Sequence, residues 1–515
     1  MFHLREHGTT VGTEIRGGIV TFLTLSYILF VQPAVLAVAG MPPNDVFVAT
    51  CVASAVGCFL MGILANYPIA LAPAMGHNFF FVFTVCLAMG LRWQEALAAN
   101  LLSGLFFIAV SSFGLREALL HAVPDSLKYA IACGIGLLIS FVGLQYGGLV
   151  QRSPAVLVEL GDLSSPVALV VLAGLAVTAI LAAIEFRGAV LVGIVGTAVL
   201  ALAVSHWQPA YHQPKGLEVV TEAQFLERAG VTKTGLDTRT PVPPADVRMI
   251  LAEPRPAPTL WQRVVSLPDW PSTTFLAVDF KGLFFNHRLA EVLLVIFILF
   301  FLDLFDTVGT LIGVCERAGL LGPDGRLPRA RQALLSDAIG TVVGTSIGTS
   351  TITAYVESAA GVREGARTGL AAIVTGVLLL ASLVFAPVVE MVGMGAHYIH
   401  AVTGEPLRQV VAGTPIDIKV YPIIAPVLVI VGVMMMGTVA RIRWDDFAEA
   451  IPAFLTIVVM QFSLSITDGI AWGFIAFTLL KLVTGRAREL HWLVIVFTVL
   501  FVVQYVARAF LIGAA

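Results

Sequence analysis

The stretch "FFLDLFDTVGT", Phe300 to Thr310, follows the apolar run "VLLVIFILF" and places two aspartates inside a segment that predicts a membrane helix over 289–313. Asp303, Asp306, Thr307 and Thr310 fall at i, i+3, i+4 and i+7, one stripe of a helix. An aspartate at the centre of a spanning helix costs about 2.5–3.5 kcal/mol on insertion scales, so these carboxyls must face a protein interior or a wet cavity. Glu357 repeats the signal in "GTSTITAYVESAAG", where Ser350, Thr353 or Ala354, Glu357 or Ser358, and Gly361 would share one helical face. Asn78 follows the interrupted run "PIALAPAMGHN", and its amide offers both a donor and an acceptor. Such groups suit a flat, polar ligand whose N–H groups meet carboxylates, and a shielded carboxyl that can also bind and release a proton. Helices begun at Asn78 and near Ser350 would aim unpaired N–H groups at the same cavity, with Ser350 and Thr351 completing the site.

Each of these residues also has a plainer role open to it. Asp303, Asp306 or Glu357 could cap a helix or pair with an arginine, and Asn78 could satisfy the broken backbone. His77 reads as structural or as a modulator of the site, since an imidazole titrates in a range that suits proton transfer. Phe79 belongs to a phenylalanine run that fits a packed core, although one ring could stack on a planar ligand.

The elements that must position these groups are membrane spans. The chain has 515 residues, 58% hydrophobic and 12% charged, with a mean hydropathy of +0.92; a soluble domain carries about 25% charged residues. Apolar runs predict segments over 17–38, 46–65, 68–89, 94–113, 127–149, 166–185 and 188–205. After a polar stretch, 206–288, come 289–313, 332–348, 350–362, 367–389, 421–440, 447–465 and 468–484. A last run, 490–513, fits either another span or an interfacial helix. The polar N-terminus predicts no cleaved signal peptide. Cys51, Cys58, Cys86, Cys133 and Cys315 all lie in or at the end of apolar runs and predict neither a disulfide framework nor a metal site.

Basic residues set the orientation. With the N-terminus in the cytoplasm, Arg116, Lys128, Arg317 to Arg331, Arg363, Arg367, Arg441, Arg443 and Lys481 to Arg488 lie inside, whereas Arg92, Arg152, Arg408 and Lys419 lie in short outer loops. Two blocks of seven segments then enter from opposite sides, which makes an inverted repeat. "PIALAPAMGHN" and the short segment at 350–362 sit at matched positions in the two blocks, the best sequence pointer to a midplane site. The insert 206–288 and the loop 390–420 lie on the outer face, as ordered caps or as loops.

The stretches "FLDLFDTVGTLIGV", "GTSTITAYVESAAGVREGARTGL", "ALAPAMGHNFFF" and "WDDFAEAIPAFLTI" resemble the AzgA-like purine permeases, a branch of the nucleobase–cation symporters related to the uracil permease and the nucleobase–ascorbate transporters. The resemblance covers most of the chain outside about 206–265 and 393–418. It implies an all-α polytopic membrane protein of fourteen segments in two inverted repeats of seven, with short extended pieces in segments 3 and 10. It also implies a core domain from 1–114 and 289–389, and a gate domain from 125–205 and 421–484. The loops 206–288 and 390–420 and the C-terminal apolar piece 485–515 complete the organisation.

The family's activity is proton-coupled uptake of adenine, guanine and hypoxanthine across the cytoplasmic (inner) membrane, by an elevator-like movement of core against gate. Its acidic eighth-segment position falls on Asp303 with Asp306 beside it, its tenth-segment glutamate on Glu357 and its third-segment asparagine on Asn78. The resemblance therefore implies Asp303 and Glu357 as binding and proton-coupling groups, with no cofactor beyond the proton. The expected partners are a purine nucleobase and the lipid bilayer, with a homodimer through the gate left open and no nucleic acid. His77 and Gln32 depart from the family's pattern, which bears on substrate range.

The nearest rival keeps the fold and changes the ligand to xanthine, uracil or an organic or inorganic anion. An anion would call for a basic residue near the two breaks, and the nearest arginines lie at segment ends. A membrane-embedded hydrolase would need a nucleophile–base pair or metal ligands, and Asp303 and Asp306 come from one helix rather than two. The chain reads as a transporter and not an enzyme.

Overall fold

The computed structural model describes residues 2–113, 124–153, 157–207, 217–221, 224, 247–252, 264–321, 327–393, 395–400, 403, 406–411, 414–415 and 420–512. Arg116, Lys419 and much of the insert 206–288, including 225–246 and 253–263, lie outside the described residues.

The first half runs α1 (Val11–Leu25), α2 (Ile28–Ala37), α3 (Pro43–Leu60), β1 (Leu71–Pro73), α4 (Met75–Phe79), α5 (Trp93–Phe113), α6 (Asp125–Tyr146), β2 (Val150–Ser153), β3 (Leu157–Leu160), α7 (Pro166–Ala183) and α8 (Ala189–Trp207). After β4 (Leu217–Val220), β5 (Val247–Ile250) and the short α9 (Phe280–Phe285), the second half opens with α10 (Leu289–Ala318). It continues through α11 (Ala330–Ile347), β6 (Ile352–Ala354), α12 (Ser358–Arg363), α13 (Gly369–Ala381), α14 (Ala386–Gly393), β7 (His397–His400), β8 (Pro406–Val411) and β9 (Thr414–Pro415). The last helices are α15 (Ala425–Met436), α16 (Phe447–Ser463), α17 (Ile466–Val483) and α18 (Trp492–Ile512). Among the described residues, eight helices are long and apolar enough to cross a membrane, and five shorter apolar helices accompany them. The fold is the expected helical membrane architecture, with extended pieces in segments 3 and 10.

Local chemistry sets many of the helix ends. Thr10 caps α1 by accepting the Thr13 N–H at 3.2 Å, Ser165 caps α7 through Ala168 and Ser465 caps α17 through Asp468. Gly319 and Gly348 close α10 and α11 at φ +67 and +115, where a side chain would be strained. α4 does not stop at Phe79 but continues as a wider π-helical stretch, Phe80–Ala88.

Packing divides the chain into two compact units, residues 1–139, 268–383 and 431–515 in one and 140–267 and 384–430 in the other. These lines differ from the core and gate boundaries read from the sequence. In the second unit, the insert and the 390–420 loop are not separate caps. Their strands join in the order β4-β8-β7-β5, with β9 on β8, so each loop supplies part of one small sheet.

In the first unit, the 490–513 stretch forms α18, which runs antiparallel along α17. Thr498 donates to the Phe474 carbonyl at 3.2 Å and Tyr505 donates to Asp468 at 2.8 Å, about two helical turns apart. At 1.5 Å per residue, a helix of that length reaches about 30 Å, the thickness of the hydrocarbon layer.

Two broken segments meet at the centre of the first unit. β1 pairs antiparallel with β6, Ala72 opposite Thr353, and the ladder extends through Ala74 N–H to the Thr351 carbonyl (2.9 Å) and Tyr355 N–H to the Ala70 carbonyl (3.0 Å). Non-helical backbone at membrane depth is tolerable only where protein satisfies it, and these strands satisfy each other. Glycines let the neighbouring helices close over them: a Cβ on Gly57 would sit 3.0 Å from Leu71 Cβ, and one on Gly340 3.1 Å from Ile352 Cγ2.

Candidate functional site

The family resemblance implies an extended piece in segment 10, whereas residue spacing alone predicts a helix from about Ser350, with Ser350, Thr353 or Ala354, Glu357 or Ser358, and Gly361 on one face. The structure instead extends residues 352–354 as β6 and starts α12 only at Ser358. The pairing with β1 explains the difference, since a local helical pattern cannot register a strand partner some 280 residues away. Likewise α4 begins at Met75, ahead of Asn78.

Three polar groups gather around this crossing. The first is a chain of amides and hydroxyls. Asn78 is fully buried, its amide nitrogen donating to Gln32 and its amide oxygen accepting from the Ser350 hydroxyl. Gln32 in turn donates to Thr349 at 2.9 Å and to Ser350 at 3.0 Å. Beside it, Thr351 donates to Asn100 at 2.7 Å, and Asn100 donates to Thr345 at 3.0 Å. Helices α2, α4, α5 and α11 are thus joined to the turn before β6 by contacts that leave no end of Asn78 open.

The second group is acidic. Asp303 is 1% exposed, and its Oδ2 lies 3.3 Å from the Thr341 hydroxyl. Thr341 also bonds both polar groups of Ile352, accepting its N–H at 3.2 Å and lying 2.9 Å from its carbonyl. Facing Asp303 from α11 is Asp337, fully buried, whose Oδ2 accepts from Thr307 at 2.8 Å; Thr307 lies 2.6 Å from Thr353 of β6. Each aspartate keeps one oxygen, Oδ1, buried with no hydrogen-bond partner. A buried polar atom left unsatisfied costs about 1–3 kcal/mol, more if charged.

The third group is at the start of α12. Glu357, half-buried, accepts from the Tyr27 hydroxyl at 2.7 Å, and Tyr355 donates to the Pro73 carbonyl. Asp306 lies on the exposed edge of the α10 stripe, within electrostatic range of Glu357, while Thr307 and Thr310 are buried. The structure therefore joins Asn78 to Ser350 and Thr351 to Asn100, joins Asp303 to Thr341, and joins Glu357 to Tyr27.

Phe79 is fully buried and stacks on Phe83, ring centroids 5.6 Å apart. His77 is 2% exposed and neither ring nitrogen has a partner. Sequence reasoning missed Asp337, although an aspartate well inside the predicted span 332–348 carries the same signal as Asp303. It also missed Tyr27, Asn100 and Thr341, whose roles depend on tertiary neighbours.

Comparison with known proteins agrees with this architecture. The Permease family model (Xan_ur_permease) matches residues 12–396. The adenine permease AdeP of Escherichia coli (strain K12) is 38% identical over 98% of this chain and 95% of its own length. The guanine/hypoxanthine permeases PbuO and PbuG of Bacillus subtilis (strain 168) are 36% and 37% identical over 98% of this chain, and over 99% and 98% of their own lengths. Among solved structures, the transmembrane domain of the cyanobacterial bicarbonate transporter BicA superposes with a TM-score of 0.56 at 13% identity, covering 90% of this chain and 97% of that one. SLC26A9 gives 0.53 at 13% identity, covering 92% of this chain and 65% of its own. At such identity these structures speak to the fold alone. A family match across three quarters of the chain, with full-length relatives named as permeases, makes this protein a multi-pass membrane transporter of the Permease family and not an enzyme.

Proposed function

We propose that the protein takes up purine nucleobases (adenine, guanine or hypoxanthine) across the cytoplasmic membrane, N-terminus inside, by proton symport. The names of AdeP, PbuO and PbuG support the substrate class. The observation that carries the coupling is the pair of buried, unpartnered oxygens on Asp303 and Asp337. A carboxyl pair that cannot hold two charges in one dry site is a natural place to keep one proton. Glu357 and Asp303 accept N–H groups of the purine, Asp306 adds negative charge at the exposed edge, and Ser350 and Thr351 flank the amide side with Asn78. Phe79, already stacked on Phe83, backs this side rather than opening a free ring face. The proton rides on Asp303 with Asp337, or on Glu357.

In this reading the core (1–114, 289–389) moves as an elevator against the gate (125–205, 421–484), and a homodimer through the gate would hold the gate still. An anion ligand is disfavoured because the hydrogen-bond partners of Asn78, Ser350, Asp303 and Glu357 are hydroxyls and amides rather than lysine or arginine. The test is uptake of labelled hypoxanthine into proteoliposomes with an imposed pH gradient and a panel of unlabelled purines, pyrimidines and bicarbonate. Competition by purines, with accumulation only under the gradient, is expected. Competition by bicarbonate alone would replace the substrate, and accumulation without a gradient would remove the symport.

A further inference from the structure

The two polar side chains at the start of α4 differ in one respect. Asn78 has both ends of its amide engaged, by Gln32 and Ser350, so its orientation is fixed. His77, the residue before it, is as deeply buried yet has neither nitrogen bonded. Its ring approaches the carbonyl of Leu299, one turn ahead of Asp303 on α10, which puts it between the helix bearing Asn78 and the helix bearing the acidic stripe. A buried polar group without a partner is rare in a settled core and calls for a missing one. A water could fill that role, but a ligand arriving between the same two helices would fill it too.

Resting on the purine reading above, we infer that His77 is a specificity-determining residue that contacts the 6-substituent of the bound base. The substituent is an amino group, a donor, in adenine, and a carbonyl, an acceptor, in hypoxanthine and guanine. A neutral imidazole carries one donor and one acceptor and exchanges them by changing tautomer. One unconstrained histidine therefore serves both classes, where the tethered amide of Asn78 could serve only one. This predicts a transporter of both amino- and oxopurines rather than a specialist.

The test compares the KM for adenine and for hypoxanthine with that for unsubstituted purine, which has only hydrogen at position 6. In the wild-type protein both substituted bases should bind more tightly than purine itself. In His77→Leu the KM ratios of adenine to purine and of hypoxanthine to purine should both rise about tenfold, the scale of one lost buried hydrogen bond. His77→Gln, whose carboxamide can flip to present either end, should recover most of the loss. A monodisperse peak for each variant in detergent keeps the comparison valid, and His77→Ala replaces His77→Leu where the latter does not fold. Unchanged ratios in folded His77→Leu or His77→Ala overturn the inference while leaving purine transport standing, as does a folded His77→Gln as impaired as they are. Failure of the wild-type protein to carry any purine overturns the proposed function instead.

Discussion

Two clusters of buried charge, both in the first unit, are built in opposite ways. Between the N-terminal end of α16 and the C-terminal end of α17, Lys481 is fully buried and donates to Glu449 at 2.8 Å and to Glu489 at 2.7 Å. Arg486 joins Glu489 to Asp446 at 2.8 and 2.7 Å, and Asp446 caps α16 through the Ala448 N–H. Here every cation faces acids. Around the strand crossing, Asp303 and Asp337 face each other with only hydroxyls for company and an oxygen each left over. The first arrangement gives each acid a cation, although Glu449 also keeps one oxygen, Oε2, without a hydrogen-bond partner, and it fastens helices. The second sets two acids together without a cation, which stability alone would not favour, and under the proposed function that difference separates a structural cluster from a working one.

Four experiments would break or sharpen that contrast. Asp303→Asn should lower purine uptake by about 100-fold, the equivalent of about 3 kcal/mol for a hydrogen bond to a charged group. Its thermal midpoint in detergent should hold or rise, because a buried carboxyl has been neutralised. A large fall in the midpoint with uptake preserved would reverse the assignment of the two clusters. Lys481→Met should do the opposite. Leaving Glu449 with only the longer contact to Arg443, at 3.6 Å, costs up to about 3 kcal/mol, read as a lower midpoint, with uptake per folded molecule close to wild type.

Asp446→Ala should cost about 1 kcal/mol through the lost helix cap. The smallest effect is in pH. Hydrogen bonds from Arg486 and then Lys481 hold Glu489 down at about 2, and a hydrogen bond from Arg486 holds Asp446 below the usual carboxylate range. A depressed folded value means the stabilisation is complete above the ordinary value near 4.5 and fades as pH falls toward 2. The midpoint should therefore be level through neutral pH and decline in acid, less steeply in Glu489→Gln. Both carboxylates are exposed enough for added salt to weaken the effect.

Much of this was legible in the sequence, for a physical reason that also marks the limit. Apolar runs long enough to span a bilayer locate the helices, and an acid inside such a run is too costly to be accidental, so Asp303 and Glu357 stand out. Asp337 carries the same signal and was readable by the same rule. What was not legible is pairing across the chain. Nothing local in "ITA" at 352–354 says that it will be a strand, because its partner is Leu71–Pro73 in the other repeat. The same holds for Gln32 on Asn78, and for the sheet assembled from two separate outer loops. The role of the 490–513 run turned on Thr498 and Tyr505 finding Phe474 and Asp468, contacts that hydropathy cannot show.

The measurement closest to the central claim separates movement of the base from movement of the proton. Proteoliposomes holding the wild-type protein or Asp337→Asn, with labelled hypoxanthine, would be assayed once under an imposed pH gradient and once for exchange at equal pH. The account predicts gradient-driven accumulation in the wild type alone, with exchange retained in Asp337→Asn. Full gradient-driven accumulation by a folded Asp337→Asn protein would contradict the assignment of the proton to the Asp303–Asp337 pair and leave Glu357 as its carrier.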